Sequence, residues 1–304
     1  MEKMDAFIAA VRSVLKEKQI LLQEPMKKHT TFQIGGPADC LVFPSTIQEV
    51  VGVFTLIRRY GVPFTVLGNG SNVLVLDGGI RGVVVKFDDN LAGLRQAGDR
   101  VIAGAGALLK DVSEFAAACG LTGLEFAVGI PGSIGGAVFM NAGAYDGEIS
   151  GVVSTVTAVT TEGEVVRFTK ETLQFGYRHS VFQENGAVIC EVELSLAPGD
   201  SKMIRMKMED LTMRRENRQP LEMPSAGSTF KRPQGYFAGT LIEQTGLKGF
   251  RVGGAQVSQK HAGFVVNAGE ATAKDVLDLI QEVQRLVYEK HGVELHPEVR
   301  TVGE

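Results

Sequence analysis

The sequence predicts an α+β chain with a mixed strand–helix region, a sheet-rich middle and a C-terminal part that ends in a long helix. Three observations support this. Strands and helices alternate up to about residue 80, as in a small α/β unit. Short runs rich in β-branched residues follow from Gly82 onward. One strongly periodic apolar pattern, typical of a helix, lies near the C-terminus.

The first region begins with a short amphipathic helix whose apolar face runs over residues 7–15. A second helix is expected to start at a capping box formed by Thr46 and Glu49 and to stop at Gly61. The strands expected around these helices are residues 41–43, 63–67 and 73–76.

The middle and C-terminal regions contain three further helices. One buries a face from Val112 to Cys119 and stops at Gly120, and one spans residues 201–217 after a boundary at residues 198–200. The last is capped by Thr272 and Asp275 and ends at Gly292. The strands expected between them are residues 83–85, 101–103, 152–160 and 188–196.

Composition excludes several classes of protein. Thirty-five acidic and 31 basic residues give a net charge of −4, which argues against binding of nucleic acid through a basic face. No apolar run approaches the roughly 18 residues that span a bilayer, and the N-terminus is too acidic for a secretion signal. The three cysteines show no CxxC spacing, so we expect small buried thiols in a cytoplasmic protein.

Glycine is enriched, with 37 residues among 304, and it clusters in two segments. The first, Gly68-Asn69-Gly70-Ser71-Asn72, follows a strand as a dinucleotide fingerprint would. The fingerprint fails, because a third glycine is missing and the next residues predict a strand instead of a helix. Two interpretations stay open: a backbone nest that cradles an anion, and a hairpin turn, for which Asn-Gly is a strong signal.

The second glycine-rich segment runs from Gly129 to Ala144 and also contains Pro131 and Ser133. Such a composition predicts an irregular loop, in which backbone amides can approach a flat or anionic ligand. A crossover between sheets is the alternative. Because both segments place Ser and Asn between glycines, we expect them to bind one extended, phosphate-bearing cofactor.

Three polar clusters remain. Ser228 follows a glycine, but no Gly-x-Ser-x-Gly elbow surrounds it, so a hydrolase is not indicated. Residues 177–180 and 296–300 each combine arginine with histidine, an arrangement found more often in surface salt bridges than in catalysis. The five histidines show no metal-ligand spacing, and no metal site is expected.

Taken in order, these motifs resemble the MurB family of UDP-N-acetylenolpyruvoylglucosamine reductases over nearly the whole chain. Five matches in the family's order are far more specific than any one of them. The most specific segments are residues 67–72, 129–136 with 141–144, 177–180, 227–231 and 259–264.

The resemblance implies an FAD-binding fold of the vanillyl-alcohol-oxidase type, with two α/β subdomains that sandwich the flavin, and an α+β domain for the UDP-sugar. We therefore expect FAD-binding subdomains at residues 1–82 and 83–199, and a substrate-binding domain at residues 200–304. It also implies that NADPH reduces noncovalently bound FAD. Flavin N5 then passes a hydride to the enolpyruvyl ether of UDP-N-acetylglucosamine, and the product is UDP-N-acetylmuramate, a peptidoglycan precursor.

The family's functional residues can be placed on this chain. Ser228 matches the proton donor, Arg178 the cation that binds the substrate carboxylate, and Glu298 the third catalytic residue, which acts with the arginine. The residues matched to FAD binding are Leu67, Gly68, Asn69, Gly70, Ser71, Asn72, Gly129, Ile130, Pro131, Gly132, Ser133, Gly135, Gly136, Ala137, Asn141, Ala142 and Gly143. Those expected near the UDP diphosphate are Lys231, Arg232, Lys260, Arg214 and Arg300.

Two departures from the family pattern matter. Arg232 stands where many members carry asparagine, and no tyrosine-bearing insert follows Arg178, as in a shorter subclass that must cover its substrate differently. The expected ligands are NADPH and the enolpyruvyl UDP-sugar, with no nucleic acid, membrane insertion or obligate protein partner.

Two alternatives to the reductase remain. A flavin oxidase or dehydrogenase of the same fold, acting on a small alcohol or hydroxy acid, would share both glycine segments but would not need Ser228 or Glu298. A nonenzymatic flavin- or nucleotide-sensing protein would need none of the three presumed catalytic residues.

Overall fold

The computed structural model describes residues 2–304, which form two compact units. Unit 1 comprises the chain up to Leu22, Cys40–Asn69 and Gly82–Arg214, and unit 2 comprises Gln23–Asp39, Gly70–Arg81 and Arg215–Glu304. The chain therefore passes between the units several times. The subdomain boundaries expected after residues 82 and 199 stay predictions.

The α-helices are α1 (Glu2–Val11), α2 (Ile47–Tyr60), α3 (Leu109–Ala118), α4 (Ile134–Phe139), α5 (Phe182–Asn185), α6 (Ser201–Arg218), α7 (Ala238–Thr245) and α8 (Ala273–His291). Short 3-10 turns occupy Glu17–Gln19, Met26–Lys28, Asp89–Leu91, Glu125–Ala127, Ile149–Gly151 and Lys170–Thr172. In the described part of the chain, no helix is both long enough and apolar enough to cross a membrane.

The strands are β1 (Ile20–Pro25), β2 (Pro37–Val42), β3 (Phe64–Leu67), β4 (Val73–Val75), β5 (Ile80–Lys86), β6 (Leu94–Ala97), β7 (Arg100–Gly104), β8 (Leu121–Thr122), β9 (Gly143–Ala144), β10 (Gly147–Glu148), β11 (Val153–Val159), β12 (Val165–Thr169), β13 (Val188–Ser195), β14 (Ala197–Pro198), β15 (Ser225–Ser228), β16 (Arg251–Val252), β17 (Ala255–Val257), β18 (Phe264–Asn267) and β19 (Arg300–Val302).

Unit 1 contains a five-stranded antiparallel sheet in the order β12-β11-β13-β7-β6. Helices α3 and α4 both contact β7 of this sheet. A four-stranded sheet has the order β1-β2-β5-β3, in which β3 and β5 run parallel and Leu67 lies opposite Lys86. One apolar core of unit 1 includes Phe54 from α2 and Val85 from β5.

Unit 2 contains an antiparallel sheet in the order β15-β18-β17-β16, and α8 contacts two of its strands. Strands β4 and β19 form a parallel pair. The core of this unit includes the apolar face of α8, with Val276, Leu279 and Val283.

Local signals located the ends of α2 and α8 correctly. Thr46 caps α2 by accepting a hydrogen bond from the Glu49 amide, and Gly61 ends the helix in the left-handed conformation. Thr272 and Asp275 form the expected reciprocal capping box of α8, which Gly292 ends. The first helix is shorter than its apolar pattern predicts, since it ends at Val11.

The capping box expected at Thr46 is only half present. The side chain of Glu49 accepts hydrogen bonds from the amide and hydroxyl of Ser45 and from Gln19 instead of from the Thr46 amide.

Among residues 2–304 no disulfide links the three cysteines, and burial raises the pKa of Cys190 to about 12.

Candidate active site

In unit 1, the start of the first glycine segment contacts the second glycine segment. The Asn69 side-chain amide donates to the carbonyl oxygen of Pro131 at 2.6 Å. A Cβ atom on Gly68 would overlap the hydroxyl oxygen of Ser133, so a side chain at this position would displace that hydroxyl. These contacts set Gly68 and Asn69 beside the second segment, and the binding of one ligand by both segments stays a prediction.

The hairpin interpretation of residues 68–72 is wrong. Strand β3, before the segment, pairs in parallel with β5, whereas β4, after it, pairs in parallel with β19. The segment is therefore not a turn between two paired strands. It is also divided: Gly68 and Asn69 belong to unit 1, and Gly70, Ser71 and Asn72 belong to unit 2.

The composition of the second glycine segment predicted an irregular loop, but part of the segment is helical. Residues Ile134–Phe139 form α4, whose first turn is capped by Ser133, since the Gly136 amide donates to its hydroxyl at 3.3 Å. Gly135 fits there because a Cβ atom would meet Ala105 at 2.9 Å. Tertiary packing of small residues thus outweighs the low helix propensity of glycine.

Several backbone donors of these segments are left for a ligand. In the described part of the chain, the N–H groups of Asn69, Gly132 and Ser133 donate to no protein acceptor, whereas the Ile134 and Gly135 amides are used internally. Unpaired N–H groups in glycine-rich loops suit the oxygens of a diphosphate. The residues present therefore fit a dinucleotide such as FAD.

Arg178 lies in a tight turn that is tied to the same region of unit 1. Its φ angle is +55°, a strained conformation for a residue other than glycine. Gln183 holds this turn by donating to the carbonyl oxygens of Arg178 and Phe139, each at 2.9 Å. The Asn141 side chain adds a bond of 3.0 Å to the carbonyl of Gly176. Unit 1 thus brings Arg178 next to the end of the second glycine segment.

Unit 2 brings Ser228 next to Glu298 along the backbone. Thr229 accepts a hydrogen bond at its carbonyl from the Glu298 amide at 2.7 Å, and its own amide donates to Gly263. Lys231 extends this pairing by donating from its amide to the carbonyl of His296. Ser228 is exposed and Glu298 half-buried.

The end of the first glycine segment joins this cluster. The Arg300 amide donates to the carbonyl of Asn72 at 3.0 Å, and the Asn72 side chain donates to the carbonyl of Glu298 at 3.5 Å. Gly70, with φ at +67°, packs against the backbone of His29.

The cationic residues expected near the diphosphate lie at different places. In unit 2, Lys231 is exposed, the Arg232 guanidinium lies 4.1 Å from the ring centre of Phe237, and the Lys260 ammonium lies 3.6 Å from a Glu222 carboxylate oxygen. In unit 1, Arg214 forms a two-point ion pair with Asp210 on α6.

Sequence reasoning missed three residues that support these clusters. Thr229 is buried and its hydroxyl accepts from the Val265 amide at 2.9 Å, Gln183 holds the Arg178 turn, and the Lys86 ammonium donates to the carbonyl of Gly68 at 2.9 Å. Of these three, only Lys86 could have been found from the sequence, since it is a lone charge within an apolar run.

Among the described residues, no group of three or more His, Cys, Asp or Glu side chains could bind a metal ion.

Comparison with known proteins gives consistent matches. Residues 38–169 match the family model of an FAD binding domain, and residues 219–302 match that of the UDP-N-acetylenolpyruvoylglucosamine reductase C-terminal domain. The reductase of that name from Clostridium perfringens is 55% identical over 94% of both chains. The one from Clostridium botulinum is 51% identical over 98% of this chain and 97% of its own.

A solved structure agrees with these sequence matches. The crystal structure of the reductase (MurB) from Thermus caldophilus superposes with a TM-score of 0.80 at 38% identity, over 93% of this chain and 98% of its own. The predicted fold class, an FAD-binding domain followed by a C-terminal α+β domain, is thereby confirmed.

Proposed function

The chain belongs to the family of UDP-N-acetylenolpyruvoylglucosamine reductases, and we infer that it catalyses the NADPH-dependent reduction of UDP-N-acetylglucosamine enolpyruvate to UDP-N-acetylmuramate, a step of peptidoglycan precursor synthesis. The observation that carries the site assignment is the pairing of residues 228–231 with 296–298, which sets Ser228 and Glu298 on neighbouring stretches of backbone. The bound FAD supplies the hydride chemistry, with NADPH as donor.

Ser228 is assigned as the proton donor. Reduction of the vinyl group leaves negative charge on the carbon that carries the substrate carboxylate, and this carbon requires a proton. A serine hydroxyl is a weak acid in water, so its use demands a fixed position. The hydrogen bonds of Thr229, the next residue, supply this rigidity.

Arg178 is assigned to the substrate carboxylate. Its guanidinium can form two parallel hydrogen bonds to a planar carboxylate and stabilise the charge that develops next to it. The turn that holds Arg178 is fixed by Gln183 and Asn141, which supports a positioned rather than a mobile cation. Glu298 is assigned to the same enolic carboxyl group.

The remaining assignments concern binding and location. Lys231 and Lys260, with Arg214, Arg232 and Arg300, are proposed to bind the UDP diphosphate or neighbouring anions, and the three-part division at residues 82 and 199 is proposed as the domain arrangement. We place the protein in the cytoplasm, acting on small-molecule substrates without nucleic acid, membrane insertion or an obligate protein partner.

Product analysis tests the proposal. Incubation with NADPH and the enolpyruvyl UDP-sugar is expected to give a product two hydrogens heavier, with one NADPH consumed per product. In D₂O the product is expected to carry one deuterium at the carbon next to the carboxylate, because the serine hydroxyl exchanges with solvent. NADPH oxidation that needs oxygen and yields no such product would instead support a flavin oxidase.

A further inference from the structure

Lys86 is a buried cation to which the proposed reaction gives no part. It ends β5 after three buried valines, and only 8% of its surface is exposed. Burial lowers the pKa of Lys86, and the nearby carboxylates of Asp88 and Asp89 only partly oppose this effect. Placing an ammonium group here costs free energy, so its retention calls for a specific partner.

One such partner is the backbone of the first glycine segment. The register of β3 and β5 sets Lys86 opposite Leu67, and the ammonium group donates to the carbonyl oxygen of Gly68 at 2.9 Å. Lys86 therefore fixes the orientation of the peptide group that joins Gly68 to Asn69.

Fixing one side of a peptide group also fixes the other. In a trans peptide the carbonyl oxygen of Gly68 and the N–H group of Asn69 point in opposite directions. The Gly68 carbonyl is held against Lys86 at the end of β5, so the Asn69 N–H group is directed away from Lys86. A cation on the oxygen also polarises the peptide group and strengthens the N–H group as a donor.

The Asn69 N–H group is available to a ligand. It has no acceptor in the described part of the chain, and the Asn69 side chain is anchored separately on Pro131. The unpaired amides of Gly132 and Ser133 belong to the segment that contains this anchor.

We propose that Lys86 is a positioning residue which, by holding the carbonyl of Gly68, directs the Asn69 N–H group at an anionic oxygen of the cofactor's diphosphate. This inference rests on the proposed function only in taking the ligand to be a flavin dinucleotide. Lys86 itself does not touch the ligand.

The test compares FAD with ADP, which carries a diphosphate but no flavin ring. Dissociation constants of both are measured by calorimetry on flavin-free protein for the wild type and for Lys86→Met, which keeps the chain length but loses the donor. Both ligands are expected to bind roughly tenfold more weakly or worse, the loss typical of a hydrogen bond to a charged group, here from the Asn69 N–H group to a diphosphate oxygen. Lys86→Gln keeps a neutral donor, and its dissociation constants are expected to lie between those of the wild type and those of Lys86→Met.

Val85→Ala is the matched control, since it removes buried volume from the same strand without removing a charge. It is expected to lower the melting temperature and leave both dissociation constants unchanged. Unchanged affinities in a folded Lys86→Met protein would overturn the inference. So would weaker binding of FAD alone, which would place the effect on the flavin ring. Failure of the wild type to bind FAD would instead overturn the proposed function.

Discussion

At the scale of single residues, Ser228 and Thr229 divide two tasks between neighbouring side chains. Thr229 is buried, its backbone bonds to Gly263 and Glu298, and its hydroxyl accepts from Val265. Ser228 is exposed beside this anchor. Removing the Ser228 hydroxyl therefore changes the chemistry available at the surface with little change in the backbone beneath it.

For Ser228→Ala we expect normal flavin reduction by NADPH and about 10²-fold or slower reoxidation by the enolpyruvyl UDP-sugar, the scale of a lost positioned acid. Stopped-flow absorbance measures the two half-reactions separately. Ser225→Ala, on the same strand, is the control and is expected to leave both rates unchanged. Equal loss in both half-reactions of Ser228→Ala would make the serine structural.

For Arg178→Lys we expect a loss of about 10²-fold or more in reoxidation by the enolpyruvyl UDP-sugar, because an ammonium group cannot form the two-point contact with a carboxylate. Arginine and lysine at position 178 have the same backbone strain at φ +55°, so the comparison isolates the effect of the charged head group. Arg205→Lys on the exposed face of α6 is the control. Near-normal reoxidation in Arg178→Lys would remove Arg178 from the mechanism.

At the scale of elements, local chemistry predicted the ends of α2 and α8, whereas α4 depends on packing. Thr272 and Asp275 form their box within one turn, so sequence alone reveals it. Helix α4 contains two glycines and forms because Ser133 caps it and Gly135 packs on Ala105, a contact that spans about 30 residues and has no local signal. The Asn69–Pro131 bond, which joins the two glycine segments, is equally non-local.

The same packing places Gly68 directly against the Ser133 side chain. In Gly68→Ala the new methyl group would meet the hydroxyl of Ser133, which caps α4. We expect FAD content after purification to fall by about tenfold or more, because the Ser133 hydroxyl must leave its capping position at the start of the second glycine segment's helix. Gly151→Ala, whose Cβ atom has no neighbour within 4 Å, is expected to keep its flavin. Full flavin content in Gly68→Ala would show that this close approach is not needed for binding.

At the scale of the whole molecule, the interleaving of the two units could not be predicted. The boundaries at residues 82 and 199 were inferred from changes in the predicted secondary structure along the chain. The chain passes between the two units at five places, after Leu22, Asp39, Asn69, Arg81 and Arg214. Such exchanges depend on which strands pair. The family's motifs nevertheless identified the fold class and activity, because they lie in order along nearly the full length.

Acid is expected to destabilise the molecule through carboxylates of lowered pKa. Burial raises the pKa of Glu125, but hydrogen bonds from Thr122 and Gly123 and the charge of Lys207 outweigh it, so the net pKa lies below 4.5. The folded carboxyl group thus releases its proton at lower pH than the unfolded one. Its contribution to stability is complete above about pH 4.5 and is lost as the pH falls toward the folded pKa.

Glu125→Gln tests this directly. Between about pH 5 and pH 3, its free energy of unfolding is expected to fall less than that of the wild type, measured by urea titration at each pH. Glu216→Gln, an exposed position on α6, should follow the wild-type curve. Parallel curves for Glu125→Gln and the wild type would show that Glu125 contributes nothing to acid sensitivity.

The most direct test of the reductase activity is the visible spectrum of the purified protein without oxygen, recorded before NADPH, after NADPH, and after the enolpyruvyl UDP-sugar. We predict a flavin absorbance that bleaches with NADPH and returns only when the sugar nucleotide is added. A flavin that bleaches and stays bleached until air is admitted would contradict the reductase assignment, and a protein that binds no flavin would contradict the cofactor as well.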